Sequence, residues 1–177
     1  MKTYLAYGAG LALTVFVVQL LFFVLGLHSD VDKFNGSQWV QSIANLAVTI
    51  VFIALGTRAC GAAAAPEAGF PYGRALGAGF GITVVSSVIG AGLNLLYQTV
   101  VNPRIIDIMV QAQLNKLEAK GLSGDQLEQP EKFMRLFMGP VLGPIVYVFV
   151  GLFFGTLIAL VVAAFVKRPA PSQVASA

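Results

Sequence analysis

Four long apolar stretches separated by more polar segments dominate the pattern along the chain. None of them carries Asp, Glu, Lys or Arg in its interior. A helix needs about 20 mostly apolar residues to cross the hydrocarbon core of a bilayer, and each stretch reaches that length. The pattern predicts an all-α membrane protein with four transmembrane helices, at about residues 4–27, 39–59, 75–101 and 141–166.

The connection 102–140 differs from the others because it is long and holds most of the charged residues. Asn102 and Pro103 are typical of a helix start. Gly121 is typical of a helix end, and Pro130 precedes a second apolar cluster. Apolar residues recur at helical spacing within the segment. We therefore predict a two-helix amphipathic insertion between the third and fourth spans.

The composition supports a membrane protein, since 57% of the residues are hydrophobic and only 11% are charged. Soluble domains have roughly 25% charged residues. The first apolar stretch is longer than a signal-peptide core and lacks a small-residue cleavage pattern, so we expect a retained span. Residues 1–168 then form a single domain, and the tail 169–177 is expected to be disordered.

Four spans would place both termini on the same side of the membrane. With the N-terminus inside, the Lys and Arg residues divide five inside to six outside, which does not decide the orientation. Seven of the eight acidic residues fall outside in this arrangement. We expect both termini to be cytoplasmic.

Small residues at four-residue spacing mark one face of the third span and one face of the fourth. This spacing lets a neighbouring backbone approach closely. Packing within one chain is favoured over a dimer interface, because a four-helix protein needs such faces internally. The candidate helix-packing glycines are Gly73, Gly77, Gly81, Gly151 and Gly155.

Uncharged polar residues form a stripe on the second and third spans. One interpretation is a polar path or a ligand pocket between helices. The favoured interpretation is hydrogen bonding between helices, worth about 0.6 kcal/mol per pair, because intramembrane pathways usually carry an ionisable group. The candidate stripe consists of Asn45, Thr49, Thr83, Ser87 and Asn94.

His28, the only histidine, stands beside Asp30 and Asp32 in a polar connection, where we expect a solvated loop rather than a metal site. The chain shows no nucleophile–base pair, phosphate loop or zinc motif, and its single cysteine permits no internal disulfide. We therefore expect no enzyme, no cofactor, and no catalytic or metal-binding residue. Nucleic acid is not an expected partner, because the basic residues form no patch.

Several short motifs occur in an order that resembles the bacterial membrane-protein family called domain of unknown function 4199. They are YGRALGAG at 72–79, VNP at 101–103, GLSGDQ at 121–126 and AAFVKR at 163–168. The resemblance covers nearly the whole chain. It implies a bacterial cytoplasmic-membrane protein and supplies no activity or site residue.

Two functional hypotheses follow. In the first, the chain is a non-enzymatic assembly or interaction component that associates with itself or with a membrane-protein partner in the lipid bilayer, through the segment 102–140. In the alternative, the chain carries or binds a lipid or small neutral solute between its second and third spans. That binding would use Asn45, Thr83, Ser87 and Asn94.

Overall fold

The computed structural model describes residues 2–65 and 68–168, and these residues form six α-helices. The third helix continues into a wider π-helical turn at Tyr97–Val101. Apart from one isolated bridge between Phe70 and Arg168, the described residues contain no β-structure. The helices are α1 (Lys2–Val24), α2 (Val31–Ala62), α3 (Tyr72–Leu96), α4 (Ile105–Glu118), α5 (Asp125–Met138) and α6 (Gly143–Val166).

Four of these helices, α1, α2, α3 with its π-helical turn, and α6, are long and apolar enough to cross a membrane. The all-α prediction and the four span-length helices are thereby confirmed. Helix α3 contacts the other three, while α2 also contacts α1 and α6. We call the end of the bundle with Lys2 and Val166 the terminal end, and the end with α4 and α5 the insertion end.

The centre of the bundle is closed by small and branched residues on three helices. Ile53 of α2, Ile82 of α3 and Ala159 of α6 form one buried apolar cluster. Helices α3 and α6 pack tightly where glycines of α6 meet hydroxyl side chains of α3. A Cβ on Gly151 would lie 2.6 Å from Ser87 Oγ, and a Cβ on Gly155 would overlap Thr83.

The connection between α1 and α2 is much shorter than expected. Helix α1 ends at Val24 instead of residue 27, because Gly26 takes a left-handed conformation (φ 72°) and Leu27 N–H donates back to Phe22 O. Helix α2 begins at Val31 instead of residue 39, because the Asp30 side chain accepts from Lys33 N–H at 2.9 Å and caps it.

The extended α2 has 32 residues and therefore a length of about 48 Å, more than the hydrocarbon core requires. Its first turns project beyond the bundle and support α4. Phe34 of α2, Tyr97, and Ile105 and Ile108 of α4 belong to one buried cluster. Helix α4 is therefore packed into the fold, and only its outer face is polar.

The structure confirms two helices in the insertion and corrects the start of the first. Helix α4 begins at Ile105, and Asn102 does not cap it, since its side chain bonds elsewhere. Gly121 ends α4 as predicted, with a φ of 93°. The second helix, α5, begins at Asp125, and Pro130 lies inside it, ahead of the apolar cluster.

Helix α5 has no buried residue and lies over α4 and the start of α6. Arg135 of α5 pairs with Asp107 of α4 at 2.6 Å. At the terminal end, Phe70 and Arg168 exchange two backbone hydrogen bonds of 2.8 Å, which join the α2–α3 connection to the end of α6. The predicted disorder at 169–177 lies outside the described residues.

Gly155→Ala should lower the free energy of unfolding by about 1–3 kcal/mol, because the added methyl group overlaps the β-branched Thr83 in a closely packed interface. Gly92→Ala is the matched control, since no atom lies within 4 Å of its Cβ position. The control should be neutral or slightly stabilising. Thermal unfolding in detergent measures both, and equal melting temperatures for the two variants would contradict the packing described here.

Candidate functional site

His28 is buried, which corrects the expectation of a solvated loop. Its side chain is 2% exposed and makes two hydrogen bonds. Nε2 lies 3.0 Å from Gln41 Oε1, and Nδ1 lies 2.6 Å from Tyr97 Oη. Because an amide oxygen only accepts, Nε2 carries the proton and Nδ1 accepts from the Tyr97 hydroxyl. Burial lowers the pKa of His28 below its ordinary value of 6.5, so the ring is neutral at pH 7.

Asn102 completes this group of buried polar residues. Its Nδ2 donates to the His28 carbonyl oxygen at 3.1 Å. The hydrogen bonds of His28, Tyr97 and Asn102 thus join the α1–α2 connection to the connection that leads into α4. We call these three residues the junction. The rings of Phe22 and Phe34 lie within 6 Å of the imidazole and shield it from water.

Beside the junction lies a cavity of about 280 Å³ at the insertion end of the bundle. We call it the amide cavity, because most of its polar groups are side-chain amides. Ile105 and Met109 of α4 contribute to its wall, and Tyr147 borders it on α6. Its polar lining residues are Gln19, His28, Gln38, Gln41, Ser42, Asn45, Asn94 and Gln98.

A second cavity of about 190 Å³, the inner cavity, lies nearer the middle of the helices. It is lined by Thr49, Thr83, Ser86 and Ser87 together with aliphatic side chains and the α6 glycines. Val15 and Tyr147 border both cavities, so the two adjoin. A Cβ on Gly90 would lie 2.9 Å from the Tyr147 ring, so the absence of a side chain there makes room for the ring.

The structure brings the predicted polar stripe together around these cavities. Asn45 and Asn94 line the amide cavity. Thr49, Thr83 and Ser87 line the inner cavity. The stripe therefore divides into an amide half near the insertion end and a hydroxyl half near the centre.

The two halves differ in how far their hydrogen bonds are satisfied. Thr49 and Thr83 donate to the carbonyls of Asn45 and Gly79, at 2.7 and 3.0 Å. Among the residues of the amide cavity, by contrast, Asn45 Oδ1 and Gln98 Oε1 are buried away from the open space and accept no hydrogen bond from a described residue, as is also true of Asn35 Oδ1 and Thr57 Oγ1 outside the cavity. Such oxygens in native proteins nearly always have a partner.

The candidate packing glycines separate into two groups. Gly151 and Gly155 meet Ser87 and Thr83 within the chain. Gly73 and Gly77 have open space at their Cβ positions, and the Cβ position of Gly81 makes an ordinary 3.4 Å contact with Tyr4. The α6 glycines thus serve internal packing, and α3 leaves a free glycine face near the terminal end.

Sequence reasoning missed His28, Gln41 and Tyr147 as site residues. The helical spacing of Gln38, Gln41 and Asn45 was a usable signal for Gln41. It was overlooked because the second span was predicted to start at residue 39, which left Gln38 outside the membrane. No comparable signal distinguished His28 or Tyr147, because their partners lie far away in the sequence.

The family model described as protein of unknown function (DUF4199) matches residues 6–168, which confirms the resemblance seen in the motifs. No curated protein matches the chain, and neither does any solved structure.

The buried His28 should make stability depend on pH. Because its folded pKa lies below 6.5, the unfolded chain binds a proton more readily, and stability should fall as the pH drops below 6.5. The loss is at most about 1.4 kcal/mol per pH unit. Thermal unfolding from pH 7.5 to 5.0 should therefore show a steeper decline for the wild type than for His28→Gln. Asp30, whose pKa is lowered from 3.8, acts only below this window. Equal slopes in the two proteins would contradict the assignment.

Proposed function

The chain belongs to the DUF4199 family of proteins of unknown function, and we propose that it binds a small uncharged molecule in the amide cavity, between helices that span the membrane. The observation that carries this proposal is the amide cavity itself, where uncharged polar side chains of α1, α2 and α3 with its π-helical turn line one space together with apolar ones. Side-chain amides both donate and accept hydrogen bonds. A few polar groups on an otherwise apolar wall are typical of small-molecule sites.

The lining of the cavity supports an uncharged ligand. Neither the amide cavity nor the inner cavity is lined by Asp, Glu, Lys or Arg. An ion moved from water into such a site would lose most of its hydration without a counter-charge. Together the two cavities reach the roughly 300–1,000 Å³ typical of small-molecule pockets.

The same lining supports a binding protein rather than an enzyme. The imidazole of His28, the only basic side chain on the lining, already has both ring nitrogens engaged by Gln41 and Tyr97. A general acid or base must lie within hydrogen-bond reach of the proton that it transfers to or from the substrate. Gln41 and Tyr97 already bond to the two ring nitrogens, which leaves neither nitrogen free for a substrate.

Assembly with a partner has less support from the geometry. Gly151 and Gly155, two of the glycines that suggested an association face, are occupied by α3 of the same chain. The free face at Gly73 and Gly77 belongs to a packing pattern common to membrane helices and identifies no partner.

We further propose that the protein is a multi-pass protein of a bacterial cytoplasmic membrane with both termini in the cytoplasm. Five basic residues of the described chain lie at or near the terminal end: Lys2, Arg58, Arg74, Lys167 and Arg168. All seven acidic residues within the described part lie at the insertion end. The insertion end also carries six basic residues, so among the described residues the two ends differ in the acidic residues that accompany them. Basic residues without acidic neighbours at the terminal end support its cytoplasmic placement.

Ligand binding can be tested by native mass spectrometry of protein released from polymer nanodiscs cut directly from the host membrane. The wild type should carry one reproducible extra mass. Asn94→Leu should reduce its retention at least tenfold, because an apolar side chain replaces a polar wall of the cavity. Asn115→Leu is the control, since Asn115 is exposed on α4. A wild type that never carries an extra mass would refute the proposal.

Orientation can be tested with reporter fusions after Ala112 and after Ala177. We expect the exported-enzyme signal at Ala112, on the insertion side, and the cytoplasmic signal at Ala177. An exported-enzyme signal at Ala177 would reverse the proposed orientation. The insertion and the amide cavity would then face the cytoplasm.

A further inference from the structure

We propose that the terminal end of the bundle binds the head of an anionic phospholipid, held by Arg58 of α2 and by Lys167 and Arg168 after α6. This site lies at the opposite end of the bundle from the amide cavity and is independent of the ligand proposed there. Three features support it: a recess at the helix ends, the charge around that recess, and the apolar helix faces that lead to it.

The recess has a volume of about 330 Å³ and lies between the C-terminal ends of α2 and α6. We call it the basic recess, because Arg58, Lys167 and Arg168 are three of its seven described lining residues. Arg168 is held in place by the fold, since its Nη2 donates to Gly61 O and its backbone pairs with Phe70. A guanidinium has five N–H donors, so Arg168 keeps others for an anion.

The charge of the basic recess is positive. The described lining includes no Asp or Glu, and the ion pairs among the described residues lie at the insertion end. Glu67, the one remaining acidic residue, lies outside the described residues. Even if its charge is counted with the terminal end, five basic residues there exceed it. A phosphate group has the opposite charge, and Arg and Lys are its usual hydrogen-bond donors in proteins.

The basic recess lies at the level of the lipid heads. Helix α6 has 24 residues and is therefore about 36 Å long, so it crosses a hydrocarbon core of about 30 Å and ends close to its boundary. Lys167 and Arg168 follow directly after the last residue of α6, and Arg58 lies near the end of α2. Basic pockets between helices at this level suit anionic lipid heads.

Apolar helix faces lead from the basic recess toward the middle of the membrane. Val51 and Leu55 share a face of α2 with Arg58, and both are about half exposed. On α6, Val161 is 60% exposed, and Phe165, which also lines the recess, is 84% exposed. Acyl chains along these faces would cover apolar surface while the head occupies the recess. A free phosphate ion would cover none of it, so the surface favours a phospholipid.

Lipid selection can be measured with wild-type protein in nanodiscs that hold equal amounts of phosphatidylglycerol, which is anionic, and phosphatidylcholine, which is zwitterionic, with the same acyl chains. Native mass spectrometry after release identifies the lipid that stays bound. The wild type should retain phosphatidylglycerol at least tenfold more often, because three basic residues attract the anionic head. A tenfold preference corresponds to about 1.4 kcal/mol.

Arg58→Gln/Lys167→Gln should lower this preference by about fivefold or more, because two of the three cations are removed. Arg168 is kept in this variant, since it also bonds to the backbone of α2. Each single variant should give an intermediate preference, which guards against a double variant that fails to fold. Arg104→Gln/Lys120→Gln is the matched control, because it removes one exposed Arg and one exposed Lys at the insertion end. This control should keep the wild-type preference.

Several results would overturn the proposed lipid site. Equal retention of the two lipids, an unchanged preference in the double variant, or an equal loss in the control would each do so. Retention of inorganic phosphate, added to the wild type in nanodiscs of phosphatidylcholine alone, would also overturn it, because the basic recess would then hold a free anion. The amide cavity is judged separately, since its ligand is the mass that Asn94→Leu removes and that Arg58→Gln/Lys167→Gln should leave in place.

Discussion

The junction of His28, Tyr97 and Asn102 is the interaction on which the insertion end depends. Tyr97 and Asn102 lie 69 and 74 residues from His28 in the sequence. Tyr97 bonds to its buried imidazole, and Asn102 bonds to its backbone carbonyl. Backbone that leaves a helix near a membrane must find partners for its polar groups. Asn102 gives one to the His28 carbonyl. The first turns of α2, the π-helical turn of α3 and the start of α4 therefore come together, and the amide cavity forms between them.

The four spans could be predicted because hydrophobic length is a property of each segment alone. The helix ends could be predicted only where a local signal acts, as Gly121 does for α4. The early start of α2 was missed although Asp30 is a good cap, because the charged and polar residues Asp32, Lys33 and Gln38 made the segment look like a loop. Gln38 lies beside α4 and the amide cavity, an environment that hydropathy does not report.

The helices that contribute to the candidate site could be predicted from the sequence, but the hydrogen bonds within the site could not. Helical periodicity placed Asn45 and Asn94 on inward faces, since periodicity records which residues share a side of one helix. It records neither the distance between helices nor the satisfaction of a hydrogen bond. The difference between Thr83, which bonds its own helix, and Asn45, whose oxygen accepts nothing from the described chain, appears only after packing. His28 was misplaced for the same reason, because its burial is caused by partners on other helices.

The amide cavity argues against a purely structural role for the polar stripe. Hydrogen bonding between helices was the simpler explanation, and it requires each buried amide to find a partner on another helix. Gln41 does so through His28, whereas the oxygens of Asn45 and Gln98 accept no hydrogen bond from the described chain. Leucine at these two positions would remove the cost of the unpaired oxygens, so packing alone would favour leucine. Both residues also line the amide cavity, and each side-chain amide carries two N–H groups besides its oxygen. Amides at these positions therefore suit a wall that contacts a polar molecule better than a wall that only packs against other helices.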